Sequence, residues 1–301
     1  MREKRYYSLN DFYRQKFGTK VFKISLDAGF SCPNKDGKKG FGGCTFCTST
    51  PFIGDSKKDL KNQFEEIKKL LHTKWKKAKY IIYLEANSNT YATVDKLKEI
   101  YEPLIGYENV VGLNLGTRCD CIDDDILDYL ENLNKRTFLT IELGLQSSFN
   151  ETLKRINRGH TREEFAKTVK KLKEKNINVV AHIINGLPNE TEEMMVETCK
   201  FLNKLDIDGI KIHMLYLEQG SKITEEYQNK KFHILTKDEY IKILGKELEV
   251  LNKNIVIHRL TSGPDRNKLI KPKWLNSKFT LLNEIEKYLE DNDIWQGQKR
   301  M

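Results

Sequence analysis

Three cysteines crowd one stretch of the chain: between Gly29 and Cys47, three thiols and five glycines fall within nineteen residues. Cys44 and Cys47, two residues apart, can face one centre. Cys32 can return to it because Gly37, Gly40, Gly42 and Gly43 let the intervening eleven residues wrap tightly. The neighbouring sequence supplies no fourth ligand. A closed structural zinc site and an ordinary cubane cluster each take four, so a three-thiol set points to a metal site with one open position. An open iron binds a substrate or cofactor. Two other readings of the same residues stand: a Cys-x-x-Cys redox pair with Cys32 incidental, and a zinc site completed by Cys119 or Cys121. The glycines do not form a P-loop, because no Gly-Lys-Ser or Gly-Lys-Thr follows them.

Thiols held by a loop need a scaffold, and the rest of the chain alternates in a way that supplies one. Short β-branched and aromatic runs at Val21 to Leu26, Tyr80 to Leu84, Val110 to Leu115, Phe138 to Leu145, Asn178 to Ile184, Gly209 to Tyr216 and Ile255 to His258 read as strands buried on both faces. Between them, Leu60, Phe64, Ile67 and Leu71, then Val94, Leu97, Tyr101 and Leu104, then Phe165, Val169 and Leu172 step by three and four, the period of a helix face. Strand and helix repeated in this way give right-handed crossovers and a parallel sheet, an α/β fold closing into a full or partial barrel. In such sheets ligands bind beyond the carboxyl ends of the strands. The cysteine loop, from Asp27 to about Ser56, follows the first strand and is far longer than an ordinary βα connection.

The chain has 301 residues, 32% of them charged and 39% in the apolar set, the composition of a folded soluble chain and not of a collagenous or low-complexity one. No apolar run approaches the roughly 18 residues of a membrane span, and no apolar stretch backs the charged start, so the chain is expected to be neither inserted nor exported but cytoplasmic. Six cysteines are too few for a disulfide scaffold. The excess of 52 Lys and Arg over 43 Asp and Glu leaves +9, which suits a polyanionic partner such as nucleic acid, although 41 of the 52 are Lys, as a base-composition bias would also give.

The residues also carry a resemblance. The Cys-x11-Cys-x2-Cys loop after a first strand, with Lys20 to Asn34, Ser88 to Tyr91, Gly116 to Arg118, Glu142 to Ser147, Asn157 to His160, Gly209 to His213 and His258 to Thr261, resembles the radical S-adenosylmethionine superfamily in order and spacing. The form is that of the YhcC/YtqA-like family, related to the catalytic subunit of Elongator. The resemblance implies a partial parallel (β/α)6 barrel with short N- and C-terminal extensions: a single domain over 1–301, with its core at about 18–220 and a C-terminal extension at about 221–301. It implies that Cys32, Cys44 and Cys47 hold a [4Fe–4S] cluster whose fourth iron is chelated by S-adenosylmethionine, which is cleaved reductively to methionine and a 5′-deoxyadenosyl radical. By the same resemblance Asn89 and Thr90 lie near the methionyl amine, Glu142 and Gln146 near the ribose, and Arg158 near the carboxylate. Cys119, Glu85 and Lys35 depart from the family, which carries Pro, Gln and Arg there.

For the partner, the resemblance implies tRNA, with radical chemistry on the C5 side chain of the wobble uridine. The specific version takes 5-carboxymethylaminomethyl-uridine toward the aminomethyl and methylaminomethyl forms, with a reduced flavodoxin- or ferredoxin-type electron donor. A small metabolite or protein substrate, and a zinc-stabilised RNA-binding protein without turnover, are the other readings. The lysine-rich stretches Lys57 to Lys77 and Lys167 to Lys175, with Arg259, Lys268, Lys271, Lys273 and the Lys299-Arg300 end, offer a phosphate-tracking surface. Tyr6, Tyr7, Phe12, Tyr13, Trp274 and Trp295 are aromatics able to stack on bases or to fill a core. Cys199 falls on an apolar helix face with Met195 and Leu202 and reads as core, while His182 and His213 read as satisfied histidines on strands.

Overall fold

In a computed structural model describing residues 4–48, 58–72, 75 and 77–299, the apolar runs are strands. β1 (Val21–Leu26), β2 (Lys79–Leu84), β3 (Val110–Thr117), β4 (Phe138–Gln146), β5 (Asn178–Asn185) and β6 (Gly209–Met214) lie side by side in chain order, every pair parallel. A two-residue strand, β7 (Leu217–Glu218), leaves the sheet to pair antiparallel with β9 (Leu269–Lys271), and β8 (Val256–Arg259) rejoins it beside β6. The sheet is thus the expected partial barrel, with a seventh parallel strand drawn from the segment read as a C-terminal extension. Ser56, Lys57 and Arg300 lie outside the described residues.

The helices are α1 (Leu9–Phe17), α2 (Leu60–His72), α3 (Val94–Leu104), α4 (Asp124–Asn134), α5 (Asn150–Arg155), α6 (Arg162–Glu174), α7 (Glu192–Asn203), α8 (Lys222–Asn229), α9 (Lys237–Val250) and α10 (Lys278–Asp291). Most crossover helices start on a residue that satisfies the first free backbone N–H groups. Thr93, Asp123, Thr161 and Thr191 each accept from the N–H three residues on, and Thr161 closes a capping box with Glu164. These caps fix where each helix leaves the strand ends that carry the site.

Alternation along the strands sorts two faces. Ile82 and Leu84, Leu113 and Leu115, Leu139 to Leu145 at every second position, and Ile210 and Ile212 are almost wholly buried against the helices. The opposite face, inside the barrel, is polar: Lys23, Tyr83, Asn114, Glu142, His182 and Lys211 point there. Strands read as buried on both faces are so, but the inner face is buried on charged groups. No helix among the described residues is long and apolar enough to cross a membrane.

Candidate active site

The cysteine loop is stitched to the segment after α5. Cys32 begins a turn whose carbonyl accepts from Lys35 N (2.8 Å) and Asp36 N (3.2 Å). Asn34 Nδ2 donates to Asn157 O at 2.6 Å, while Asn157 Nδ2 donates to Gly43 O at 2.8 Å and Thr45 N to Ile156 O at 2.9 Å. Gly43, at φ 74°, sits in the left-handed region where a side chain is strained, and its N–H reaches Asn34 O at 2.7 Å. This reciprocal lacing turns Cys44 and Cys47 toward the barrel mouth, and Cys47 N closes onto Cys44 O at 3.0 Å. Burial pushes the Cys47 thiol up, with the Lys35 ammonium opposing.

All three thiols line one cavity of about 430 Å³ at the carboxyl ends of the strands. Its walls are Glu85 to Ser88 after β2, Gly116 to Arg118 at the end of β3, and Gly144 and Gln146 on β4. Arg158 arrives from behind the cysteine loop, its Nη1 at 3.6 Å from Cys44 Sγ and its Nη2 donating to Gly144 O at 2.6 Å. A Cβ on Gly144 would stand 2.5 Å from Gln146 Nε2 and 2.7 Å from Arg158 Nη2, so this position admits both side chains only as glycine. Gln146 itself holds φ 78°, next to the register shift between β4 and β5. A strained non-glycine residue lining a cavity fits a positioned functional group. Inward, the cavity ends on Tyr83, His182, His213, Tyr216 and Arg259, and a neighbouring space of about 190 Å³ opens past Phe46.

Of the residues expected at the cofactor, the structure brings together Cys32, Cys44, Cys47, Glu142, Gln146 and Arg158. Asn89 and Thr90 do not line the cavity. Asn89 Nδ2 donates to the carbonyls of Leu84 (3.0 Å), Ala86 (3.1 Å) and Gly116 (2.8 Å), and Thr90 Oγ1 donates to Cys121 O at 2.6 Å and bonds Thr117 Oγ1 at 2.7 Å. The chain turns at Asn87, φ 61°, keeps Ser88 on the wall, and only then carries Asn89 and Thr90 behind it. There they brace the carboxyl ends of β2 and β3 and hold Glu85 to Ser88 against the cavity.

Glu142 lines the cavity and is also the hub of its interior charges. Its carboxylate is completely satisfied by protein: Oε1 accepts from Lys23 Nζ (2.5 Å) and Asn114 Nδ2 (2.7 Å), Oε2 from His182 Nε2 (2.9 Å) and pairs with Lys211 Nζ (2.5 Å). Burial would raise it, but Lys211 and Lys23 outweigh that and hold it well below the usual carboxylate range. Burial, with Lys211 beside it, pushes His182 down to about 4, so the ring is neutral and donates from Nε2; burial also lowers Lys211 to about 8. Glu142 therefore anchors the interior cations.

Sequence reasoning assigned no role to Arg118, Lys211 or Glu85. Arg118 is buried, forks onto Asp120 at 2.8 and 2.9 Å and donates to Arg158 O at 2.8 Å, so it props the cofactor wall. Burial works against the Asp120 carboxylate, yet Arg118 and Lys39 hold it at about 2. The signal for Lys211 was present: Ile210, Lys211, Ile212, His213 and Met214 alternate apolar and polar on a buried strand. Glu85 stood out in the sequence only as a departure from the family, which carries Gln there.

The donor set fits a cluster. Cys32, Cys44 and Cys47 face one cavity, while Cys119 and Cys121, one of which a closed four-ligand zinc site would need, lie outside its lining. Ser88 Oγ and Glu85 Oε2 are buried in this wall with no partner, which suits a ligand that supplies one.

The comparisons with known proteins agree. The model of the radical SAM superfamily matches residues 38–202, beginning after Cys32, and that of the radical SAM C-terminal domain matches 207–291. The chain is 43% identical to YtqA of Bacillus subtilis over 98% of this chain and 93% of that protein. It is 28% identical to the tRNA-2-methylthio-N(6)-dimethylallyladenosine synthase of Fusobacterium nucleatum, over 60% of this chain and 42% of that one. Among solved structures, Elp3 of the archaeon Methanocaldococcus infernus shares the fold at TM-score 0.67 and 18% identity, covering 92% of this chain but only 64% of its own. The chain belongs to the YtqA/YhcC family of the radical SAM superfamily, enzymes that work with a [4Fe–4S] cluster and S-adenosylmethionine.

Proposed function

We propose that this radical SAM enzyme modifies tRNA at the C5 side chain of the wobble uridine, acting on 5-carboxymethylaminomethyl-uridine. The observation that carries the reading is one cavity, lined at its mouth by three thiols and running inward to a polar interior that leaves room for a second molecule. Cys32, Cys44 and Cys47 hold the cluster, Arg158 faces the cofactor's carboxylate and Gln146 its ribose. When bound, the pair supplies a 5′-deoxyadenosyl radical able to take hydrogen from an unactivated carbon. The chain's own part is to orient and to keep water out. Arg118 and Asp120 fix the wall behind Arg158, and Glu142 fixes Lys23, Lys211 and His182 in the floor.

Support for tRNA comes from three sides. The sequence resemblance to the Elongator catalytic subunit implies it, a relative at 28% identity is named for a tRNA modification, and the chain carries +9. On the cysteine loop Phe41 is 79% exposed, and Lys38 lies over the ring of Tyr91 at 5.4 Å, a surface able to stack on an unpaired base beside the cavity. A reduced flavodoxin- or ferredoxin-type protein delivers the electron. No two of the six cysteines are joined in a disulfide, in keeping with a reducing cytoplasm. Mass spectrometry of tRNA nucleosides from cells with and without the gene tests the substrate. The carboxymethylaminomethyl nucleoside is expected to accumulate on deletion, and unchanged wobble nucleosides would refute the assignment.

A further inference from the structure

The interior of the cavity carries charges that the protein does not neutralise. Lys23 and Lys211 are paired with Glu142, Arg118 with Asp120, and Arg158 rests on the Gly144 carbonyl. Arg259, the last residue of β8, lines the same cavity, yet its guanidinium makes neither an ion pair nor a hydrogen bond among the described residues. Its backbone is set by the sheet, in register with Lys211, so the guanidinium is presented by a strand and not by a loop. Glu85 follows the last residue of β2, lines the cavity too, and buries Oε2 without a donor. The curl of the sheet brings the two ends together: Lys23 Nζ on β1 stands 3.4 Å from His258 Nδ1 on β8. Tyr83, Tyr216 and Lys211 each lie within electrostatic reach of both Arg259 and Glu85.

An unpaired cation and an unpaired carboxylate, both partly withdrawn from water, cost free energy that a ligand with the opposite pair of charges would return. We infer that Arg259 and Glu85 form a substrate-recognition subsite for an N-substituted amino-acid group, with its carboxylate on the Arg259 guanidinium and its secondary ammonium on Glu85. Interior cations outnumber carboxylates, Lys23, Lys211 and Arg259 against Glu142 and Glu85, so the carboxylate is the stronger handle. A guanidinium can take it in a fork of two parallel hydrogen bonds. The inference rests on this cavity being the radical site. It narrows the substrate to a group bearing both charges one methylene apart, as the carboxymethylaminomethyl side chain does.

The test uses the cluster-loaded protein saturated with S-adenosylmethionine, whose own amino-acid end would otherwise compete for the probe. Sarcosine, its uncharged-carboxyl counterpart N-methylglycinamide, and acetate are titrated by ligand-observed NMR. Sarcosine is expected to bind saturably and N-methylglycinamide at least about tenfold more weakly, the scale of one lost charge-assisted hydrogen bond. Arg259→Gln should lose both sarcosine and acetate, Arg259→Lys should keep part of each, and Glu85→Gln should weaken sarcosine while sparing acetate. Matching visible cluster absorption shows that each variant is folded and loaded. Equal binding of sarcosine and its amide, indifference to both charge-removing substitutions, or no saturable sarcosine binding by the wild type would each overturn the subsite. Unchanged tRNA nucleosides after gene deletion would instead remove the tRNA substrate and leave these binding results standing.

Discussion

If Cys32, Cys44 and Cys47 hold the cluster as proposed, the loss of one leaves it without enough protein ligands. Cys32→Ala, Cys44→Ala or Cys47→Ala should therefore lower iron retained after anaerobic reconstitution at least about tenfold, read by iron analysis and visible absorption. Retention of four irons by any of the three would remove that cysteine from the ligand set. Gly144 makes a sharper case, because an added methyl would meet only the mobile tips of Gln146 and Arg158. Gly144→Ala should leave the urea midpoint almost unchanged and weaken S-adenosylmethionine binding, by roughly 1–3 kcal/mol if both side chains lose their places. Calorimetric titration of the cofactor together with urea unfolding separates the two effects. A drop in stability with cofactor affinity intact would mean that Gly144 serves packing alone.

At the level of elements, helix starts and buried acids carry the consequences. Thr161→Ala breaks the capping box of α6 and should cost about 1 kcal/mol in urea unfolding, with α6 still formed because its apolar face is buried. Behind the barrel, Glu247 on α9 accepts from Asn185 Nδ2 on β5 at 2.8 Å, and burial raises its carboxyl to about 8. A carboxyl whose folded pKa exceeds the unfolded one favours the protonated form. Stability should accordingly fall as pH rises from about 4.5 to about 8, by about 5 kcal/mol for the full shift. Glu247→Gln should flatten that slope, seen as a smaller difference between urea midpoints at pH 5 and pH 8. These elements also show what the chain made legible. The strands declared themselves by β-branched runs, and Leu139 to Leu145 even displays the period of two that sets Thr140, Glu142 and Gly144 on the inner face. The cysteines were legible because three thiols on one glycine-rich loop have few other uses. That Asn89 and Thr90 stand behind the wall was not legible, because it depends on the path of the loop around the left-handed Asn87, and spacing along the chain carries no sign of it. That Glu85 and Arg259 line one cavity depends on how far the sheet curls, which no local pattern encodes.

For the whole molecule, electrostatics and the shape of the sheet matter most. If tRNA is held mainly through phosphates, log K should fall linearly with log salt, and neutralising one contacting lysine should reduce the slope by about one. Phe41→Ala should weaken tRNA by about 1–3 kcal/mol at any salt concentration, since base stacking is insensitive to it. Filter binding at several salt concentrations distinguishes these terms, and a salt-independent affinity would deny the phosphate contribution. Among the described residues the sheet ends at β1 on one side and β8 on the other, and α1 touches both. Ser8 bridges to Ile257, Ile257 N donates to Tyr7 O at 2.8 Å, and Tyr13 packs with Val21 and Ile81. This short N-terminal helix is a clasp that fixes the radius of the curl. Cutting the chain back to residue 18 would bare one hydrogen-bonding border and slacken the arc, so such a truncated protein should self-associate through it and lose substrate turnover before it loses its iron.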